Sequence, residues 1–270
     1  MKICAASVLV LVLGSFAAAQ SRSVWIADYT GQEIMAEVAA GKTTLIYCGG
    51  ATHADGPIVA NGKHVNVGRY VAEHVAEQLG NALVLPINPY APASAQMNHT
   101  SPASAAIVGG TVSLSDETYA LVTKDVINSA LRAVRESEGF TGSGFKNVMV
   151  MSDHSQGQDT LQRVARDLDS EWRSKGVRVY YVDLAPIGKR QMEDYLKKLN
   201  VPAARMTPID DETELMFVDR DHQWVRQDKI APEERKVATP ETGKIFIDFK
   251  INAVVEQIRK LTATPANSRQ

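Results

Sequence analysis

Three histidines and an aspartate fall where strand-like runs give way to loops. One loop reads Gly49-Gly50-Ala51-Thr52-His53-Ala54-Asp55-Gly56-Pro57 and continues to Asn61-Gly62-Lys63-His64, so His53, Asp55 and His64 share a segment that ends at a helix start. Farther along, Ser152-Asp153-His154-Ser155-Gln156-Gly157 directly follows another strand-like run and brings a third imidazole to a second strand end. Taken singly, each is a polar loop residue that backbone groups could satisfy. Converging on one crevice, imidazole nitrogens and a carboxylate make an N/O donor set suited to zinc, manganese or iron, and His53, Asp55, His64 and His154 are the expected ligands. An ion of that kind lowers the pKa of bound water and polarises a carbonyl, which is the chemistry of hydrolysis. Asp153 and Glu212 are the candidates for relaying a proton in such a hydrolysis.

The elements that position these residues can be read from apolar periodicity. Thr43 to Cys48, Ala82 to Leu85, Asn147 to Met151 and Val177 to Val182 are short, apolar and rich in Val, Leu, Ile and Tyr, the pattern of buried strands. Between them, Val67, Val71, Val75 and Leu79 mark one helical face within 64–79. Leu121, Val122, Val126, Ile127, Leu131 and Val134 mark another within 116–136, behind an N-cap at Ser115. Helices are also expected over 158–175 and 241–260. Strands alternating with helices imply right-handed crossovers and a mainly parallel sheet covered on both faces. Ligands bind such a sheet beyond the carboxyl ends of its strands. The loop after the first strand and the turn at 152–157 must lie there, and the long irregular stretches 49–63 and 88–110 are expected to serve function rather than act as linkers.

Two other classes of reading use the same residues. Asp153-His154-Ser155-Gln156-Gly157 looks like the nucleophile elbow of a serine α/β-hydrolase with its first Gly replaced, Ser155 attacking and Asp210 or Asp211 with His222 completing a triad. That leaves His53, Asp55 and His64 without a task. The remaining class is a non-catalytic binding protein that keeps the fold without the reaction. His74, His99, Trp25, Trp172 and Trp224 read as packing or surface residues, and Asp210, Asp211 and Glu212 as a solvated acidic loop from which a base could be drawn.

From about Val24 to Lys260 the chain resembles the creatininase (creatinine amidohydrolase) family. In the family's G-x-x-E-x-H-G-P-H loop, with an Asp eleven residues after the Glu, His53 falls at the Glu, Asp55 at the first His and His64 at the Asp. The spacing is kept while the ligand types are permuted, and Gly62-Lys63-His64 is similar to a branch of the family with G-K-H there. His154 falls at a metal-binding His, and Gln156 at the place of a second-metal Glu. Gly109 to Leu114 looks like the family's P-G-T-x-S-L turn, and Glu212-Thr213-Glu214-Leu215-Met216 resembles E-T-S-L-M. The resemblance implies a three-layer α/β/α fold, often a homo-oligomer such as a hexamer, with one or two divalent ions hydrolysing small cyclic or acyclic amides. It places Gln156 among the metal-site residues, where its neutral side chain disfavours a full second ion. The family's catalytic Glu-His pair falls near Met206-Thr207, neither of which shuttles protons, so creatinine itself is disfavoured as the substrate.

The chain has 270 residues, a net charge of -2 and 44% hydrophobic content, with mixed charges throughout. Nothing in it advertises nucleic-acid or anionic-membrane binding; the expected partner is a small-molecule substrate. Lys2, the apolar run from Ile3 to Phe16 and Ala17-Ala18-Ala19 read as a signal peptide over 1–19, and a single α/β domain over 20–261 with a disordered tail over 262–270 is expected to follow. Cleavage would leave Cys48 as the only thiol, in a soluble protein of the periplasm or exterior. The exported chain is expected to begin at or near Gln20; intact-mass spectrometry finding Met1 to Ala19 still attached would refute this.

Overall fold

In chain order the secondary structure runs α1 (Gly31–Ala39), β1 (Thr44–Gly49), α2 (Lys63–Leu79), β2 (Ala82–Val84), β3 (Ala91–Pro92), β4 (Ser113–Leu114), α3 (Asp116–Arg135), β5 (Asn147–Ser152), α4 (Gln158–Trp172), β6 (Arg178–Tyr181), α5 (Leu184–Lys198), α6 (Ala203–Val218) and α7 (Pro240–Ala263). These come from a computed structural model that describes residues 23–92, 110–137, 144–219 and 224–263. The expected leader, His99, His222 and residues 264–270 of the expected tail lie outside the described residues.

The main sheet has four strands in the order β2-β1-β5-β6, all parallel. β1 and β5 are central, and their side chains alternate between two cores as the two-residue strand period demands. Leu45, Tyr47, Val148 and Val150 pack with Val38 of α1, Ile127 and Leu131 of α3 and Leu161 and Leu168 of α4. Ile46, Cys48, Met149 and Met151 pack on the opposite face with Val67, Val71 and Val75 of α2 and Ile247, Val254 and Ile258 of α7. The result is a three-layer α/β/α fold. Each large apolar side chain removed from water here contributes about 1.5–3 kcal/mol. The β1–β5 register runs from Thr44 opposite Asn147 to Gly49 opposite Ser152, so the loops leaving the two strands start side by side.

The expected α3 face is only half right. Ile127, Leu131 and Val134 are buried, but Leu121, Val122 and Val126 are exposed, Leu121 by 61%. The buried stripe starts instead at Tyr119 and Thr123, because the Thr123 hydroxyl is taken inward by a 3.0 Å hydrogen bond with Tyr47 Oη. Ser115 does cap the helix, accepting from the Thr118 amide at 3.1 Å. Three helices escaped periodicity. α1 buries little beyond Val38, although Thr30 and Glu33 form a capping box in plain view. α5 and α6 follow β6 and pack with α7. The acidic trio expected in a solvated loop lies on α6, where Asp210 and Glu212 are buried.

α6 and α7 pack at the closest backbone approach that a glycine permits. A Cβ on Gly243 of α7 would stand 1.8 Å from the Thr213 carbonyl oxygen, and backbone cannot move aside cheaply. Gly243→Ala is therefore expected to lower stability by about 1–3 kcal/mol or more, read by urea denaturation. An unchanged midpoint would contradict this helix contact.

Candidate functional site

The loop after β1 is held from three sides. The Gly50 amide donates to the Asn88 carbonyl at 2.8 Å and the His53 amide to the Asn61 carbonyl at 2.8 Å, while Thr111 Oγ1 accepts from the Ala54 amide at 3.0 Å. Gly50 lets the loop fold back on the start of α2: a Cβ there would meet Val65 Cα and N at 2.8 Å and the His64 carbonyl at 2.9 Å. Any other residue would push the loop bearing His53 away from the helix turn bearing His64. On the neighbouring strand end, the Asp153 amide donates to the Gly49 carbonyl at 3.0 Å, which ties the two loops together.

His53, His64 and His154 meet at this junction. The His53 and His154 ring centroids are 5.4 Å apart, and those of His64 and His154 are 4.8 Å apart. Two imidazoles sharing one tetrahedral ion at ordinary metal–nitrogen distances would place their centroids about 5 Å apart. His64 Nδ1 lies 2.8 Å from Asp153 Oδ2. A carboxylate accepts only, so Nδ1 carries the proton and Nε2 is the ring nitrogen left for another partner, the orientation of a carboxylate-held metal-binding histidine. His53 Nδ1 and His154 Nδ1 are buried with no hydrogen-bond partner. Burial, with help from His64 and His53, pushes the His154 pKa down to about 3. Burial also lowers that of His53. Both stay neutral, as ligands must. Among the described residues, no group of three or more His, Cys, Asp or Glu side chains stands in a position to hold a metal ion as the rotamers lie. The unpartnered ring nitrogens fit an ion nonetheless, since a buried polar atom left unpaired is costly.

The carboxylates around the histidines are held by two buried lysines. Lys63 Nζ donates to both Asp55 and Asp211, so Asp55, 45% exposed, is drawn onto an ammonium that is itself only 2% exposed. Burial alone would depress the Lys63 pKa, but the Asp211 and Asp55 charges outweigh it and hold it above the usual lysine range. Lys250 of α7 donates to Asp153 Oδ1 at 2.8 Å and to Glu214 Oε2 at 2.6 Å. Burial works against the ionised Asp153, yet Lys250 and His64 together hold its pKa far below the carboxylate range. Both of its carboxylate oxygens are thereby engaged, one by His64 and one by Lys250, where a proton relay was expected.

Glu212 suits that relay better. Burial raises its pKa to about 7 despite Arg205, whose guanidinium is 3.8 Å away and also grips Glu234. Glu212 lines a cavity of about 280 Å³ together with Asp55, Pro57, Ile58, Arg205 and Asp211. The cavity adjoins the Lys63 clamp through Asp55 and Asp211. Gln156 Oε1 is buried and unpartnered. Ser155 is exposed, the place of its small first elbow residue is filled by the ion-paired Asp153, and Asp211 is committed to Lys63, while the His222 expected in that triad lies outside the described residues. Cys48 is buried and its thiol pushed upward by desolvation, which makes it inert. Sequence reading assigned no role to Lys63, Lys250, Asp211 as a partner or Glu214; the Lys63-His64 adjacency was the one available signal.

The family model described as creatininase, creatinine amidohydrolase, matches residues 27–266. No curated protein matches the chain. Among solved structures, a creatinine amidohydrolase (creatininase) is 20% identical, with a TM-score of 0.70 and alignment over 91% of this chain and 100% of that one. A structure described as creatininase Mn is 20% identical, TM-score 0.69, over 90% of this chain and all of that one. A mutant creatininase described as Zn-Zn type is 20% identical, TM-score 0.63, with coverage of 90% and 100%.

The buried acids of α6 set a pH dependence of stability. Burial and Glu214 raise the Asp210 pKa to about 9, and its Oδ1 has no partner. A carboxyl that binds its proton more tightly folded than unfolded adds stability below the ordinary carboxylate range, and that stability is lost as pH rises through the folded pKa. Asp210→Asn removes the titration. Its melting temperature relative to the native chain is expected to rise steadily from about pH 5 to about pH 9, and a constant difference would show that Asp210 is not protonated in the fold.

Proposed function

The chain belongs to the creatininase family, and on that premise we propose that it is a divalent-metal-dependent hydrolase opening the C–N bond of a small amide or cyclic amide. The observation that carries this reading is the junction of three imidazoles with the buried, unpartnered Nδ1 atoms of His53 and His154. His53, His64 and His154 would hold the ion, zinc or manganese being best suited to the donors and iron also compatible, with Gln156 Oε1 as a further neutral donor. When bound, such an ion supplies Lewis acidity toward a carbonyl and a nucleophile from water near neutral pH.

The protein's own residues supply the rest. Asp153 holds His64 in the tautomer that exposes Nε2, and Lys250 keeps Asp153 ionised and fixed. Glu212, with its pKa near 7 on the cavity wall, is matched to give a proton to the leaving nitrogen and to take one back at working pH. Pro57, Ile58 and Val59 form an apolar side of a cavity whose volume of about 280 Å³ admits only a small substrate. Lys63 neutralises Asp55 and Asp211, so that the carboxylates beside the cavity do not repel the electron-rich carbonyl oxygen.

The test compares adjacent residues of one turn. In a screen of small amides and lactams, His64→Ala, His154→Ala and chelation are expected to abolish turnover, because each removes the ion. Ser155→Ala should retain activity within about 10–100-fold of the native chain, the cost of losing an outer-shell contact. Labelling of Ser155 by a fluorophosphonate, with turnover indifferent to chelator, would replace this reading with the serine hydrolase.

A further inference from the structure

Two carboxylates face one another beside the histidine junction, and what stands between them is a side chain. Asp55 comes from the loop after β1 and Asp211 from α6, 156 positions apart in sequence, yet both accept hydrogen bonds from the same Lys63 Nζ. Facing carboxylates repel unless a cation separates them. Lys63 reaches them from the first turn of α2, next to His64, and its charge is felt at both His53 and His154. The nearby acids Asp153 and Glu214 are likewise committed, to Lys250, and Gln156 brings no charge. One creatininase of the same fold is described as Zn-Zn type, so the fold can carry two ions.

We propose that Lys63 is the second cation of this site: its ammonium fills the place between Asp55 and Asp211 that a second metal ion would need, and the protein binds a single divalent ion, on the three histidines. This rests on the three-histidine reading above. A lysine ammonium is a compact point charge with three donors, so it can satisfy the two carboxylates at once. It cannot be lost to chelators or diluted away. Its side chain is 2% exposed, so it is part of the packed fold rather than a surface arm that happens to fall there. Remove the ammonium, and Asp55 and Asp211 become an oxygen donor pair beside imidazoles, which is a divalent-ion set.

The experiment counts metal rather than activity. The native protein, dialysed against zinc or manganese and analysed by inductively coupled plasma mass spectrometry, is expected to hold a single equivalent. Lys63→Met keeps the length and packing of the stem without the charge, and is expected to hold a second equivalent. Circular dichroism confirms its fold, and its melting temperature should rise with metal concentration as binding to the native state requires. Asp211→Asn, which keeps Lys63, should remain at a single equivalent. A second equivalent on the native protein overturns the proposal, as does a folded Lys63→Met that stays at one. Failure of Lys63→Met to fold even in saturating metal also counts against it, since the ion is then no substitute for the ammonium. No bound metal on the native protein would instead overturn the three-histidine reading on which the proposal stands.

Discussion

The parallel pairing of β1 with β5 is the constraint on which the site depends. Six residue pairs zip the two strands from Thr44 opposite Asn147 to Gly49 opposite Ser152. Both strands therefore release their chains at the same level, and the Asp153 amide continues the ladder by bonding the Gly49 carbonyl. One part of the site follows within a few residues of that line, His53 and Asp55 on one exit and Asp153 and His154 on the other, while α2 brings His64 and α6 brings Glu212. The two apolar faces behind it make the alignment rigid, because a slip of one residue would turn Leu45, Tyr47, Val148 and Val150 into the wrong core.

A site so placed has an electrostatic problem, which the two lysines solve. Asp153, Glu214 and Asp210 are buried and Asp211 nearly so, with the more exposed Asp55 beside them, and unpaired charges out of water cost several kcal/mol each. Lys250 and Lys63 each bridge two of these acids, while Asp210 escapes ionisation altogether as burial holds its proton. Buried ion pairs are poor sources of net stability, and their retention is better understood as fixing geometry. Here the Lys250–Asp153–His64 chain sets the orientation of one imidazole from a helix that is remote in sequence. Burial pushes His53 and His154 toward their neutral forms, so at these two rings the lysine charges do not have to compete with imidazolium.

The parts of the fold with a strong period were legible. Val67, Val71 and Val75 repeat on one side of α2 because one side alone meets the sheet, and the four strands stood out because both of their faces are buried. α6 was not legible for the opposite reason. It is packed against α2, α5 and α7 at once, so apolar and acidic residues are buried around its whole circumference and no stripe forms. With α6 hidden, Asp210, Asp211 and Glu212 looked like a solvated loop. α3 was misread in part because its buried stripe includes Thr123, which polarity scales place outside and a hydrogen bond to Tyr47 places inside.

By itself, the sequence determined which residue types could do chemistry and that His53, His64 and His154 would gather at strand ends, because strand alternation and loop position are local properties of the chain. It also carried the family, through a resemblance in the spacing of 53, 55 and 64 that the family match over residues 27–266 supports. Tertiary structure alone decided how the charges are shared. Asp55 counted as a ligand when only its distance along the chain was visible, but the folded chain brings Lys63 and Asp211 to it. Asp153 counted as a proton carrier until α7 delivered Lys250 to its other oxygen. A carboxylate's role is set by the nearest opposite charge and by its burial, and both depend on contacts between residues far apart in sequence.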